Sequence, residues 1–258
     1  MIQQPLANFG ITLEQKIVDG IQLLQVFEPK DGYYLCFSGG KDSVVVKDIA
    51  TRSGVKFTSN YSVTTIDPPE LTRFIRHHHQ DTIWHRPKVP LLRMVEKKGL
   101  PSRRIRWCCE KYKEQGGAGR VKIMGIRSAE SPRRAARWEP VTEWRPPGGA
   151  LVINPILSFT DAEVWRYIRM NNLPYCSLYD EGRTRIGCIG CPMSKIKKDF
   201  QRWPHMERLW RKAAQKRWSN LTAESRSLRT FRNGDEWFDW WTSDCSLPKE
   251  NECQMGLF

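Results

Sequence analysis

Tyr33-Tyr34-Leu35-Cys36-Phe37-Ser38-Gly39-Gly40-Lys41-Asp42-Ser43 is the stretch of this 258-residue chain from which the fold can be read. Five apolar or aromatic residues make a short buried strand. The Ser-Gly-Gly-Lys-Asp-Ser turn follows, and a helix begins near Val44. A glycine turn between a strand and a helix is suited to phosphate. The backbone can approach closely, successive N–H groups face the anion, and the helix dipole favours negative charge. Lys41 adds a cation, and Ser38 and Ser43 add hydroxyls. The Walker spacing, which places four residues between its first glycine and the Gly-Lys pair, is absent.

Outward from this turn, apolar segments alternate with helical ones. Leu13–Phe27 has helical spacing, and Lys30-Asp31-Gly32 turns the chain into the first strand. Strands are expected at Phe57–Val63, Val121–Ile126 and Leu151–Pro155. Helices are expected after Pro68-Pro69, over Leu91–Lys98 and over Thr160–Met170, where Thr160 and Glu163 form a capping box. This alternation predicts an α/β fold, a mostly parallel twisted sheet with helices on both faces. Pro146-Pro147-Gly148-Gly149 reads as a loop. Beyond Pro192 the chain turns basic and aromatic, with Trp203, Trp210, Trp218, Trp237, Trp240 and Trp241. The expected organisation is a nucleotide-binding α/β domain with a metal site over 1–195 and a helical basic, aromatic C-terminal extension over 196–258.

Net charge is +14. Such a surplus attracts polyanions, so nucleic acid is an expected partner alongside nucleotide phosphates. No segment has the roughly 20 apolar residues that span a bilayer, and the N-terminal residues lack the pattern of a secretory signal. The expected location is cytoplasmic, where thiols stay reduced. The eight cysteines then read as ligands, catalysts or core residues rather than disulfides. Cys108-Cys109 and Cys188-Ile189-Gly190-Cys191 together offer four thiolates, a set that suits zinc or an iron–sulfur cluster. Cys176 is an alternative to Cys108 or Cys109 in that set. Cys36 belongs to the core strand. Asp67, past the second strand, either meets the nucleotide or its magnesium, or caps the following helix. Asp42 has the same two readings. Arg127, Arg133 and Arg134 either clamp an anion or form a solvated basic face. The three consecutive histidines His77-His78-His79 point in different directions and do not read as a metal site.

Ser38–Ser43 resembles the Ser-Gly-Gly-x-Asp-Ser signature of the PP-loop ATP pyrophosphatases. Leu178-Tyr179-Asp180-Glu181-Gly182, running on to Ile186-Gly187-Cys188 and Cys191, resembles a segment of the assimilatory sulfonucleotide reductases. Gly125-Ile126-Arg127 through Ser131 resembles their Gly-x-Arg-x-x-x-Ser motif. On these residues, from about Leu13 to Cys191, the chain is identified as a member of the PAPS reductase family, with an adenine nucleotide α-hydrolase-like fold. The resemblance implies a [4Fe–4S] cluster on Cys108, Cys109, Cys188 and Cys191. It also implies a nucleotide site built from Ser38, Gly39, Gly40, Lys41, Asp42, Ser43, Asp67, Arg127 and Arg133. Lys41 and Asp42 would be catalytic, with ATP and Mg²⁺ as cofactors.

Two reactions compete within this family. The complete turn suits ATP, hence adenylyl transfer in nucleic-acid thiolation or a DNA phosphorothioation-like reaction fed by a sulfur donor protein. The reductases instead use a cysteine in Glu-Cys-Gly-Leu-His. Here Glu252-Cys253 is followed by Gln254-Met255-Gly256-Leu257-Phe258, with two residues inserted and no histidine. Cys253 is therefore the candidate nucleophile for reduction of APS or PAPS, with thioredoxin as partner. A non-catalytic nucleotide sensor is the third reading. Gln254–Phe258 also resembles the Gln-x-x-Leu-Phe peptide that docks to the bacterial sliding clamp.

Overall fold

In the computed structural model, residues 11–143, 150–223, 225 and 231–243 are described. The loop expected at Pro146–Gly149, Cys253 and Gln254–Phe258 lie outside them. Among the described residues no helix is long and apolar enough to cross a membrane. Contacts divide the chain into two interleaved compact units. The first comprises residues 1–61, 73–84 and 117–183, and the second 62–72, 85–116 and 184–258. The described residues from 196 onward thus share a unit with 85–116.

The first unit is built on a six-stranded sheet. In chain order its strands are β1 (Tyr33–Cys36), β2 (Phe57–Ser62), β3 (Ile83–His85), β4 (Lys122–Ile123), β5 (Val141–Glu143) and β6 (Leu151–Ile153). Their spatial order is β3-β2-β1-β4-β6-β5. β1 is central and pairs in parallel with β2, Leu35 opposite Ser59, and with β4, Leu35 opposite Ile123. Tyr33, Tyr34 and Leu35 are buried in succession, as a strand covered on both faces requires. β5 pairs antiparallel with β6, so the sheet is mostly parallel, as expected. β5 and β3 are three-residue edge strands, too short to leave a periodic signature in the sequence.

α1 (Leu13–Val26) starts at the Thr12 cap, and Gly20 lets it lie against the Pro155 carbonyl, which a Cβ would approach to 2.7 Å. α2 (Lys41–Arg52) packs against α1 and α7 (Asp161–Met170). Val44, Val45, Val46, Ile49 and Ala50 are all buried, wider coverage than a single amphipathic stripe gives. The expected capping box of α7 forms, with Glu163 N–H donating to Thr160 Oγ1 at 3.2 Å and Thr160 N–H to Glu163 at 2.7 Å.

The second unit is helical. It holds α4 (Leu91–Lys98), α5 (Trp107–Tyr112), α8 (Ile196–Arg202), α9 (Pro204–Ser219) and α10 (Gly234–Thr242). The basic, aromatic C-terminal segment encloses its own core. Trp210, Phe200, Phe238 and Trp241 are buried with ring centroids 4.9–6.4 Å apart. Trp241 Nε1 donates to the Pro101 carbonyl at 2.7 Å. α3 (Pro69–His78) begins in the second unit and ends in the first. α6 (Pro132–Arg137), capped by Ser131, belongs to the first.

Candidate nucleotide and cysteine sites

The turn after β1 forms as its sequence requires. Gly39 takes φ +72, a conformation that favours glycine, and Gly40 is the N-cap of α2. Lys41, Asp42 and Ser43 therefore occupy the first helical turn, three residues ahead of the expected start near Val44. The hydroxyls knit the turn together. Ser43 Oγ donates to the Gly40 carbonyl at 2.8 Å and lies 3.2 Å from Ser38 Oγ. Gly125 is needed beside it, because a Cβ there would meet the Asp42 carbonyl at 3.1–3.2 Å.

Four charges converge on the helix start. Lys41 Nζ lies 2.9 Å from Asp161 and 3.5 Å from Asp42. Arg127 Nε donates to Asp42 at 2.6 Å, Nη2 to Asp161 at 3.0 Å and Nη1 to the Phe159 carbonyl at 3.3 Å. The Lys41 and Arg127 side chains are almost fully buried, whereas that of Asp161 is 60% exposed. The alternating quartet keeps two buried cations neutralised. The Lys41 backbone N–H donates to Tyr179 Oη at 2.9 Å, so a buried hydroxyl already sits on one amide of the cradle. Burial pushes the Tyr179 hydroxyl well above its ordinary range, which keeps it protonated and a donor in turn. Arg133 is exposed on α6, and Arg134 pairs with Glu130.

Cys108, Cys109, Cys188 and Cys191 all belong to the second unit, whereas Cys176 is fully buried in the first. None of the described cysteines forms a disulfide. Cys108 and Cys109 stand in the first turn of α5, where hydrogen bonding from Cys108 lowers the Cys109 thiol to about 6. Cys108 is correspondingly raised, by that hydrogen bond, by burial and by the charges of Cys109, Cys188 and Cys191. Lys113, one turn on, is held protonated above its usual range, chiefly by the Cys188 charge.

The Cys188–Cys191 loop is anchored from several sides. Ile189 N–H donates to the Ile66 carbonyl at 2.9 Å, Trp210 Nε1 to the Ile189 carbonyl at 3.2 Å, and Gly190 N–H to buried Asp199 at 3.3 Å. Gly190 takes φ +76, and a Cβ there would lie 2.9 Å from Trp210 Nε1. Asp67 accepts from the N–H and hydroxyl of Thr64 at 2.8 and 2.7 Å, and Thr64 Oγ1 accepts from Cys188 Sγ at 3.5 Å. Asp67 thus closes a turn that reaches the cysteine loop. Among the described residues no three His, Cys, Asp or Glu side chains form a ready metal-binding group. The donor chemistry, four thiols within one unit, is of the kind that an iron–sulfur cluster or zinc takes.

Asp161, Asp199, Trp210 and Thr64 were not legible as site residues. Asp161 follows the Thr160 cap and reads as an ordinary first-turn acid. Tyr179 lay in the quoted motif without a role.

The family described as the phosphoadenosine phosphosulfate reductase domain matches residues 32–194. An uncharacterised protein of Methanocaldococcus jannaschii is 31% identical over 204 residues, 70% of this chain, which spans only 42% of that relative's length. Adenosine 5'-phosphosulfate reductase of Allochromatium vinosum is 27% identical over 198 residues, 70% of this chain and 76% of the relative. The crystal structure of a phosphoadenylyl-sulfate reductase from Candida auris shares the fold with a TM-score of 0.51 at 17% identity, covering 68% of this chain and 93% of that one. Because the family match runs over more than half of the sequence and through both the phosphate turn and the four cysteines, the chain belongs to the phosphoadenosine phosphosulfate reductase domain family, an enzyme family.

Proposed function

We propose that the chain cleaves ATP between its α and β phosphates and transfers the adenylyl group to an acceptor, as the activating half of a sulfur transfer to nucleic acid. The observation that carries this reading is the complete Ser38–Ser43 turn, with Lys41 buried in the first turn of α2. An acceptor oxygen attacks the α phosphorus, the bond to the bridging oxygen breaks, and pyrophosphate leaves with the electron pair. The turn amides, the α2 N-terminus and Lys41 take up the charge that develops on it. Arg127 holds Asp42 and Asp161 at the edge of the turn. Hydrosulfide from a donor then displaces AMP from the acceptor. Asp42, whose Oδ1 takes Arg127 and whose Oδ2 lies 3.5 Å from Lys41, would be the residue to hold Mg²⁺, which would supply further charge neutralisation. Cys108, Cys109, Cys188 and Cys191 would hold a [4Fe–4S] cluster, which supplies an iron centre for the sulfur chemistry.

The Allochromatium vinosum relative favours a second reading. The Cys253 thiolate would attack the sulfur of APS or PAPS, AMP or its 3'-phosphate would leave, and a dithiol such as thioredoxin would release sulfite while becoming a disulfide.

Full-length protein, purified anaerobically and analysed for iron and sulfide, separates the two. With ATP, Mg²⁺, a nucleic-acid acceptor and hydrosulfide, AMP and pyrophosphate are expected, and Lys41→Ala should lower their release about 100-fold or more. Sulfite from APS or PAPS plus a dithiol, abolished by Cys253→Ser and with no pyrophosphate from ATP, would replace the first reading by the second.

A further inference from the structure

Cations crowd the surface around the cysteine loop. Between Arg86 and Lys113 ten Lys or Arg residues stand against two acids, and from Arg185 to Lys198 there are four and no acid. Arg103 Nε donates to the Pro192 carbonyl at 3.0 Å, so these two runs lie side by side within the second unit. Asp199, the next acid along, is buried and turned back onto the loop through Gly190 N–H and Ser194 Oγ. That contact fixes the first turn of α8 against the cysteines. Arg106, Lys111, Arg185, Lys195, Lys197 and Lys198 are all exposed, and none pairs with a carboxylate among the described residues. Elsewhere in the same unit cations are paired, Arg211 with Asp235 and Asp239, and Lys216 with Glu96.

We propose that this surface binds the phosphodiester backbone of a nucleic-acid strand beside the Cys188–Cys191 loop. Six unpaired cations on two adjoining segments exceed what one phosphate or sulfate can neutralise, and a repeating anion matches them. A protein partner would be expected to find aromatic or apolar anchors. The one large apolar side chain exposed in these two runs is Met193. The proposal rests on the nucleic-acid acceptor of the proposed function and names its surface. Binding is measured without turnover, so a failed pyrophosphate assay leaves it standing, and failed binding leaves the nucleotide chemistry standing.

The test is fluorescence anisotropy of a labelled 20-nucleotide single strand with the full chain over a range of KCl. About five phosphate contacts give a slope of log affinity against log salt near −3 to −4. Lys195→Glu/Lys197→Glu/Lys198→Glu should weaken binding more than tenfold at about 0.1 M salt and flatten the slope by about 2. The milder Lys195→Gln/Lys197→Gln/Lys198→Gln should fall between that variant and the parent, with the parent's thermal unfolding. Unchanged affinity and slope in both variants would overturn the proposal. So would displacement of the strand by polyglutamate at equal charge concentration, which would mark an acidic protein as the partner.

Discussion

On the proposed reading Lys41 and Arg127 are the cations that serve a nucleotide phosphate, and both are buried against carboxylates. Tyr179 completes the arrangement from the other side. Its oxygen accepts the Lys41 N–H, which leaves its own proton for a phosphate oxygen. Tyr179→Phe keeps the ring, which packs at 5.1 Å on Trp165, and removes only the hydroxyl. An amide loses its acceptor and the phosphate loses a donor. We expect nucleotide affinity to drop about tenfold, equivalent to roughly 1.4 kcal/mol, with unfolding lowered by only a few degrees. Calorimetric titration with a non-hydrolysable ATP analogue checks this. Unchanged affinity would remove Tyr179 from the site. The glycines, serines and Lys41 could be read from sequence because their roles are local. The partners of Lys41 could not, since Asp161 and Tyr179 come from positions far along the chain.

Elements were legible in proportion to their length and periodicity. α1, α4 and α7 follow their apolar spacing and caps, whereas α5, six residues long, carries Cys108-Cys109 without any helical period to mark it. The join between α2 and the end of α3 is likewise silent in sequence. Lys47 Nζ lies 3.4 Å from His79 Nδ1, 2.6 Å from Asp81 and 5.2 Å from the Phe37 ring centroid. Because Lys47 is the donor, His79 is neutral, with its proton on Nε2. Burial, then Lys47, lowers His79 to about 4, with Asp81 acting the other way and His78 adding a little to the lowering. The unfolded chain takes up a proton near pH 6.5 that the folded chain refuses until about pH 4. Stability is therefore lost as pH falls through that window. Between pH 7 and 4.5 the loss from this group is on the order of 2–3 kcal/mol. His79→Gln should flatten the pH dependence by that amount in urea titrations. Equal slopes for the two proteins would show that His79 does not titrate in this way.

On the scale of the whole molecule, the chain passes between its two units at residues 61–62, 72–73, 84–85, 116–117 and 183–184. A linear reading of the sequence sees a motif-bearing first part and a basic, aromatic remainder, because composition changes near Pro192. Interleaving leaves no such signal, and the cysteine loop takes its supports from the remainder. Trp210 and Asp199 bond the loop directly, and Trp241 holds the Pro101 carbonyl after α4. Truncation after Lys195 would remove α8, α9 and α10 and with them the buried Trp203, Trp210, Trp237, Phe238 and Trp241. Each large aromatic removed from a core is worth about 3–5 kcal/mol, so losing five exceeds the 5–15 kcal/mol by which ordinary proteins are stable. The truncated chain should bind a dye specific for exposed apolar surface, lose near-ultraviolet dichroism and retain no iron after anaerobic reconstitution. If 1–195 is instead a self-sufficient domain, the fragment will unfold cooperatively and keep the iron content of the full chain, and the C-terminal helices will prove dispensable for the cysteine site.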